Sequence, residues 1–410
     1  MKKGHKQPGY ILIFSFIIMS LIVMLATRIS DIGISHVRYV RTMIEKEQAR
    51  RLAWNGVNIA MSQLAMTFDT EKKQQSADVV LAPGGEKEKQ PAQQEVVNGW
   101  KAAEAKLFLE KILPLIHRWQ IFEFSTKEQG IDGQVKIYIS GENGKVNIDD
   151  MFDFQERKFK GIIPKWEKGS QPQTSAMPDK KQKSKDFGMF LEPLFKGMGK
   201  FIKGKDLFKE LEKYLTKEKQ FEKLFKNRNR LIDTTEFFNI KAFNVFEGHV
   251  YPRPLKKGEK KDKNIFWTNI FTTAFSYLWG QINPWFLTQS LQNIFGFKSK
   301  ENILTKKNKL EGFLKNFKLK MSWPDDWDKL FAELYGIKYA NLPKWVQPVM
   351  SKEFACDAFS VVSYGTVGDV TQKLYAIVSV SVVREKKKGK DRKKQEEVFI
   401  KCYISRSYWV

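Results

Sequence analysis

The chain has 410 residues, of which 42% are hydrophobic and 32 are Phe, so it can bury a sizeable core and exceeds one small domain. Its net charge of +25 suggests an anionic partner such as nucleic acid. Much of that excess lies in lysine-rich polar runs at 180–185, 256–263 and 386–394, which are typical of solvated loops. Nucleic acid is therefore not favoured as a partner.

An uncharged apolar segment at residues 10–26 (YILIFSFIIMSLIVMLA) directly follows the basic leader MKKGHKQPG. As a helix it would be about 26 Å long, at the short end of what crosses a lipid bilayer. A secretory signal peptide should instead end at a small-residue cleavage site. We therefore predict a retained single-pass anchor in the inner (cytoplasmic) membrane, with a cytoplasmic N-terminus and an exported body. Arg28, Arg38 and Arg41 on the far flank reduce the charge bias that sets this orientation.

The anchor continues without a break into an amphipathic pattern. Apolar residues such as Ile32, Val40 and Leu52 recur at mostly three- to five-residue spacing, which predicts one helix over residues 10–66, about 85 Å long. Such an element cannot be buried within its own domain. It needs lipid or neighbouring subunits.

After this helix, the sequence pattern predicts a linker, a second helix and two strands. Residues 67–98 are polar and predict a linker, and residues 99–118 predict a helix with Ala103, Leu107, Ile112 and Ile116 on one face. Two strands at 120–125 and 134–139 should then form a hairpin.

The second half of the chain changes character twice. Residues 150–353 are helical and rich in Phe and Lys, whereas 358–364, 373–383 and 398–405 have strand patterns. The last two strands should pair over a basic loop at 384–397. A sheet split by a large helical insertion follows from this order.

The N-terminal residues resemble those of type IV pilins and type II secretion pseudopilins. Gly9 ends the leader, and QARRLAWNGVNIA at 48–60 is similar to the "A-R-x-L-A-E-x-G-x-x-x-A" run of general secretion pathway protein K, with Trp54 in place of Glu. The resemblance implies cleavage of the Gly9–Tyr10 bond by prepilin peptidase. Major pilins carry Glu at mature position five, where this chain has Phe14. A carboxylate in lipid is kept only beside a partner charge, so its loss fits a subunit with nothing ahead of it, although Phe14 is also simply a good membrane residue.

Further local matches follow in the same order as in that family. GENGKVNID at 141–149 resembles a family turn, where Asn143-Gly144 would supply a positive φ, and NRNRLIDTTEFF at 227–238 resembles a helix start. IFTT at 270–273 with QINPWFL at 281–287, and then the strands from residue 359, resemble later segments. The resemblance implies an α+β fold, with a long membrane-spanning helix and a pilin-like antiparallel sheet split by a helical insertion. We predict a leader 1–9, helix 10–66, linker 67–98, first core part 99–149, insertion 150–353 and closing strands 354–410.

No catalytic motif is present, and the four His are scattered, so we do not expect an enzyme. The oxygens of Glu142, Asp149, Asp150 and Asp153 could bind calcium, although their spacing is not that of an EF-hand, and helix capping is favoured. No other cofactor is expected. Cys356 and Cys402 could form a disulfide, but two packed thiols are favoured.

The preferred function is a minor pseudopilin at the tip of a type II secretion pseudopilus. It would act in protein export by filament assembly or capping. Its partners would be other minor pseudopilins, prepilin peptidase, the bilayer and a secreted protein. The alternative is a minor pilin of a type IV pilus or DNA-uptake machine that binds an anionic polymer.

Overall fold

The computed structural model describes residues 8–68, 96–97, 99–162, 186–202, 206–217, 230–255, 264–274, 276, 278–297, 307–321, 325–388 and 394–410. The leader residues 1–7, most of the predicted linker and the lysine runs at 180–185 and 256–263 lie outside the described residues.

Helices and strands alternate along the described chain. The helices are α1 Pro8–Leu64, α2 Ala102–Ile112, α3 Thr126–Gln129, α4 Ile148–Met151, α5 Gly188–Met198, α6 Leu207–Lys217, α7 Gln289–Phe295, α8 Lys307–Leu314 and α9 Asp325–Tyr335. The strands are β1 Met66–Phe68, β2 Val96–Val97, β3 Trp100–Lys101, β4 Trp119–Phe124, β5 Gly133–Gly141, β6 Val146–Asn147, β7 Phe152–Asp153, β8 Lys158–Phe159, β9 Phe271–Thr272, β10 Ala358–Val367, β11 Val370–Lys388 and β12 Lys394–Trp409.

One six-stranded antiparallel sheet organises the fold, in the order β1-β12-β11-β10-β5-β4. Its central strand β10 pairs with β5 on one side, with Val361 opposite Ile139, and with β11 on the other, with Val361 opposite Ala376. Between β5 and β10 the regular structure of the described residues consists mainly of short helices. The predicted α+β fold, with a long N-terminal helix and an antiparallel sheet interrupted by helical segments, is confirmed.

The predicted basic loop at residues 384–397 is wrong over most of its length. β11 continues to Lys388 and β12 begins at Lys394, so the hairpin pairs well into the lysine run. The register sets Lys386 opposite Glu396. Opposite charges at paired positions stabilise a ribbon, so this basic sequence tolerates strand pairing.

The predicted helix at residues 99–118 is shorter than expected. Trp100 and Lys101 form β3, and the helix itself ends at Ile112. At its far end His117 has a φ of 60° and donates its backbone N–H to the carbonyl of Ile139, which is incompatible with further helix. The predicted face was also partly wrong. Ala103 is exposed, whereas the buried residues of α2 are Glu104, Ala105, Phe108, Leu109 and Ile112.

The core lies on both faces of the sheet. On one face, α1, α2 and much of the insertion share a continuous buried cluster that includes Leu52, Phe108, Ile139 and Val361. On the other face, a smaller cluster is covered by insertion residues. It comprises Tyr138, Ala274, Ala358, Val362, Tyr364, Tyr375 and Ile377. The insertion therefore packs on the sheet as part of the same body.

Candidate membrane anchor and assembly surface

The two halves of α1 have opposite surroundings. We call residues 8–44 the anchor half and residues 45–64 the packed half. Every described side chain from residue 10 to residue 44 is exposed, whereas Ala49, Ala53, Val57 and Ala60 are completely buried. Because α1 is one unbroken helix, the packed half fixes the direction in which the anchor half leaves the body.

The anchor half has the composition of a membrane span. Judged by length and composition, α1 is long and apolar enough to cross a membrane. No acidic residue occurs in α1 before Asp31. Phe14 is 60% exposed, so its side chain makes little contact with its own chain. Gly9 and Tyr10 lie in the first turn of α1, with the Tyr10 side chain exposed.

Glycines let the packed half approach the sheet closely. A Cβ at Gly365 of β10 would lie 2.5 Å from the backbone nitrogen of Ala53 and 3.0 Å from Cβ of Leu52. A Cβ at Gly56 would lie 2.7 Å from Cγ1 of Val135. Small residues are therefore needed in the 48–60 motif, because the backbone of α1 lies very close to β10 there. Trp54 points away from this contact and is 41% exposed.

A buried polar cluster joins the sheet to the insertion. We call Ser140, Glu142, Lys145, Thr272 and Ser360 the polar junction; all five are buried. Lys145 Nζ donates to the Glu142 carboxylate and to Ser360 Oγ at 2.7 Å, and Thr272 Oγ1 donates to Glu142. Ser140 Oγ and Ser360 Oγ lie 2.8 Å apart. Burial lowers the pKa of Lys145, and the Glu142 charge opposes that shift. β5, β9 and β10 are therefore tied by one satisfied ion pair and its hydroxyl partners.

The turn at residues 141–149 has a different explanation from the predicted one. Gly144 was expected to supply a positive φ, but it is absent from the positive-φ residues. Its Cβ would instead collide with the backbone of Phe286 and lie 2.9 Å from the nitrogen of Leu287. The neighbouring Asn143 donates its Nδ2 to Asp357 Oδ2 at 2.8 Å and accepts the backbone N–H of Asp357 at 2.9 Å. Close packing between turn and insertion requires the glycine.

Two family-like segments that are far apart in sequence meet in the fold. β6 of the turn pairs in parallel with β9, with Val146 opposite Phe271 and Asn147 opposite Thr272. The predicted helix start within residues 227–238 lies at Asp233, which forms a capping box with Glu236 at the beginning of a 3₁₀ helix. The turn at 141–149 and the segment at 270–273 are therefore neighbours in the fold.

The four carboxylates considered as calcium ligands, for which helix capping was the favoured interpretation, have separate partners. Glu142 belongs to the polar junction, and Asp153 accepts the N–H groups of Gln155 and Glu156 at 2.9 Å each. Asp149 accepts the N–H of Leu231 at 2.8 Å, and Asp150 accepts that of Gly280 at 3.3 Å. Within the described ranges no group of three or more His, Cys, Asp or Glu could hold a metal ion. Calcium binding stays a prediction, without a cluster in this structure.

Burial gives Asp149 an unusual titration. Its pKa is raised to about 7, mainly because the carboxyl is buried, with Asp150 adding repulsion. The hydrogen bond from Leu231 and the charges of Arg230 and Arg406 act in the opposite direction. Asp149 is therefore a site where the stability of the insertion can depend on pH.

The two cysteines are free thiols on opposite sides of β11. Cys402 is opposite Val380 in the β11–β12 register, and the N–H of Val380 donates to the carbonyl of Asp357, the residue after Cys356. Two strand spacings separate such positions, about 9.5 Å, which exceeds the Cα distance of a disulfide. Burial raises the pKa of Cys402 to about 11 and that of Cys356 well above its ordinary value, so both stay protonated.

Comparison with solved structures gives a coarse likeness. A chain of the GspK-GspI-GspJ complex from the enterotoxigenic Escherichia coli type 2 secretion system aligns with 75% of this chain and 94% of its own length, at 12% identity and a TM-score of 0.33. No family model matches the chain, and no curated protein matches it significantly. At this similarity the alignment assigns no residue and no partner.

Proposed function

We propose that this chain is a minor pseudopilin of a type II secretion system and acts in protein export by filament assembly. The observation that carries the proposal is the anchor half of α1. About 55 Å of helix leaves the body, and every described side chain of it from residue 10 is exposed. The hydrocarbon core of a bilayer is about 30 Å thick, so lipid can cover only the first part of this helix. The remainder, up to Ile44, needs neighbouring subunits.

We further place the subunit at the filament tip, as the resemblance to general secretion pathway protein K implies. Phe14 supports this position, because a tip subunit has no neighbour ahead whose N-terminal amine needs a carboxylate. The insertion also supports it, since a segment of about 200 residues on every subunit would obstruct close stacking. The partners would be other minor pseudopilins, and the chain would have no catalytic role. No described feature favours the DNA-uptake alternative.

Processing at Gly9 tests the class of protein. The intact mass of the full-length chain should fall by the mass of residues 1–9 when it is produced with its prepilin peptidase, leaving Tyr10 at the N-terminus. A Gly9→Val variant, which removes the glycine before the cleaved bond, should keep its full mass. A wild-type chain that stays full length beside an active peptidase, or is cut near Ala26, would contradict the proposal.

Position in the filament needs a second measurement. Gold label on the body of the assembled protein should lie at one end of isolated filaments. Label distributed along their length would contradict the tip assignment and leave the pseudopilin assignment intact.

A further inference from the structure

Among the residues that the structure describes, strand pairing covers only three residues of the outer edge of β12. β1 pairs with Val398, Phe399 and Ile400, and no other described strand pairs with that edge. Residues 401–409 continue the strand beyond β1 and pair only with β11 among the described residues. The outward backbone groups of such an edge form a template for another strand.

Large side chains flank this open edge. Trp409 is 43% exposed, and the Arg50 guanidinium carbon lies 4.6 Å from the centroid of its ring. Trp54, four residues beyond Arg50, lies on the same side of α1 and is also partly exposed. Trp and Arg are the residues most enriched at the energetic centres of protein interfaces. The edge therefore offers both backbone pairing and side-chain anchors.

Positive charge predominates beside the same edge. Arg50, which contacts Trp409, and its neighbour Arg51 lie on α1, and Lys401 lies on β12. Arg406 instead donates to the carbonyl of Ile232 and to Thr273 Oγ1 in the insertion. The acidic neighbours of the first three are fewer: Glu47 lies 3.5 Å from Arg51 and 4.0 Å from Arg50, and Glu385 lies 3.3 Å from Lys401. A strand that carries both apolar and acidic side chains fits this surface.

Strand direction disfavours two occupants of this edge: the chain's own segment after β1, and a second copy of the chain. In the antiparallel pairing of β1, Met66 is opposite Ile400 and Phe68 opposite Val398, so the chain leaves β1 away from residues 401–409. Antiparallel pairing of two β12 edges about a two-fold axis would point the two α1 anchors in opposite directions. A single bilayer cannot accommodate both anchors in that arrangement, so a second copy is disfavoured as well.

We infer that residues 401–409, with Arg50, Trp54 and Trp409, bind an extended acidic segment of a different subunit, which joins the sheet as an additional strand in continuation of β1. The inference rests on the proposed function, because the partner is another subunit of the assembled filament. The inference specifies where on this chain the other subunit binds, and that its binding segment is extended and acidic.

Hydrogen exchange of the full-length chain tests the inference even before the partner subunit is identified. The chain alone in detergent is compared with the complex purified from membranes of the producing cell. The backbone amides of residues 401–409 should exchange at least tenfold more slowly in the complex. β4, at the opposite edge of the sheet, is the control and should be unchanged.

Ser407→Pro is the matched disruption. The N–H of Val410 donates to Lys373 in β11, so strand alternation turns the N–H of Ser407 outward. Proline there removes a donor that the sheet itself does not use. The variant should keep its unfolding midpoint and lose most of the complex. Trp54→Ala should lower the yield at least fivefold, and Trp279→Ala, an exposed Trp elsewhere, should not.

Several results would overturn the inference. These are a complex whose residues 401–409 exchange as fast as in the free chain, protection of β4 instead, or a Ser407→Pro variant that assembles normally. Protection that is already present in the isolated chain would assign the edge to its own residues. Protection that grows with concentration would assign it to a second copy. Absence of any filament complex would contradict the proposed function and this inference together.

Discussion

The anchor half of α1 and the body differ in what surrounds their side chains. In the body even a lysine is completely buried, because Glu142 and Ser360 meet it across the polar junction. In the anchor half, large apolar side chains such as Leu21 and Met24 are more than half exposed. The body is a folded unit in its own right, whereas the anchor half is specified for surroundings outside the chain. Substitutions should therefore affect stability in one region and location or assembly in the other.

The largest effect is expected at the polar junction. Lys145→Met leaves the Glu142 carboxylate buried without its partner, which should lower the free energy of unfolding by about 3–5 kcal/mol. Denaturant unfolding of the full chain in detergent measures this. The double variant Glu142→Leu with Lys145→Met removes both charges and should recover most of the loss. A loss below about 1 kcal/mol in the single variant would show that the ion pair is not needed.

A charge in the anchor half should affect location instead of folding. Ile17→Lys places an ammonium within the span, at a cost of about 2.5–3.5 kcal/mol to membrane insertion. The fraction that resists extraction from membranes at high pH should fall, while the unfolding of the body stays unchanged. Val245→Lys, on the exposed surface of the body, is the control. Equal extraction of the two variants would contradict a membrane role for residues 10–26.

Two glycine substitutions compare the halves of α1 directly. Gly365→Ala forces a methyl group against the backbone of the packed half and should destabilise the body by about 1–3 kcal/mol. A methyl group at Gly33 in the anchor half would meet no other part of the chain within 4 Å, so Gly33→Ala should be neutral or stabilise the helix by up to about 1 kcal/mol. Thermal unfolding of both variants measures the contrast. Similar shifts in the same direction would remove the distinction between the halves.

A further expected effect is a pH dependence within the body. The folded pKa of Asp149 is about 7, above its ordinary 3.8, so the folded chain binds this proton more tightly than the unfolded chain. The resulting stabilisation is full below about pH 4 and is lost as the pH rises to about 7. Asp149→Asn keeps an acceptor for Leu231 and should remove a dependence of up to about 4 kcal/mol across this window. Unfolding midpoints at pH 5 and pH 8 that shift equally in both proteins would contradict this origin.

Periodic elements of this fold could be predicted from the sequence because they depend on local pattern. The apolar run at 10–26 and the small-residue motif at 48–60 identify α1, and alternation identifies β4, β5 and the closing strands. The length of the β11–β12 ribbon was missed, because lysine-rich sequence is also typical of loops. The interpretation of Cys356 and Cys402 as two packed thiols stays a prediction.

The polar junction could not be predicted. Lys145 and Ser360 are 215 residues apart, and Thr272 is 130 residues from Glu142. No local spacing indicates that such distant residues meet. The requirement for glycine at position 144 has the same cause, since the backbone it avoids is that of Phe286. In the sequence, only the resemblance of the 141–149 turn to the family pointed to the polar junction, and it did not indicate the buried ion pair.

The measurement that tests the membrane role of the anchor half most directly is single-cysteine labelling along α1 in sealed membranes, in a Cys356→Ala, Cys402→Ser background that removes both native thiols. Leu12→Cys and Leu21→Cys should resist a membrane-impermeant maleimide until detergent is added. Ile32→Cys and Val40→Cys, beyond the predicted span, should react at once in the unassembled chain. If Leu12→Cys and Leu21→Cys instead react in intact membranes as fast as Val40→Cys, the anchor half does not lie in lipid, and the assignment of this chain as a membrane-anchored filament subunit is contradicted.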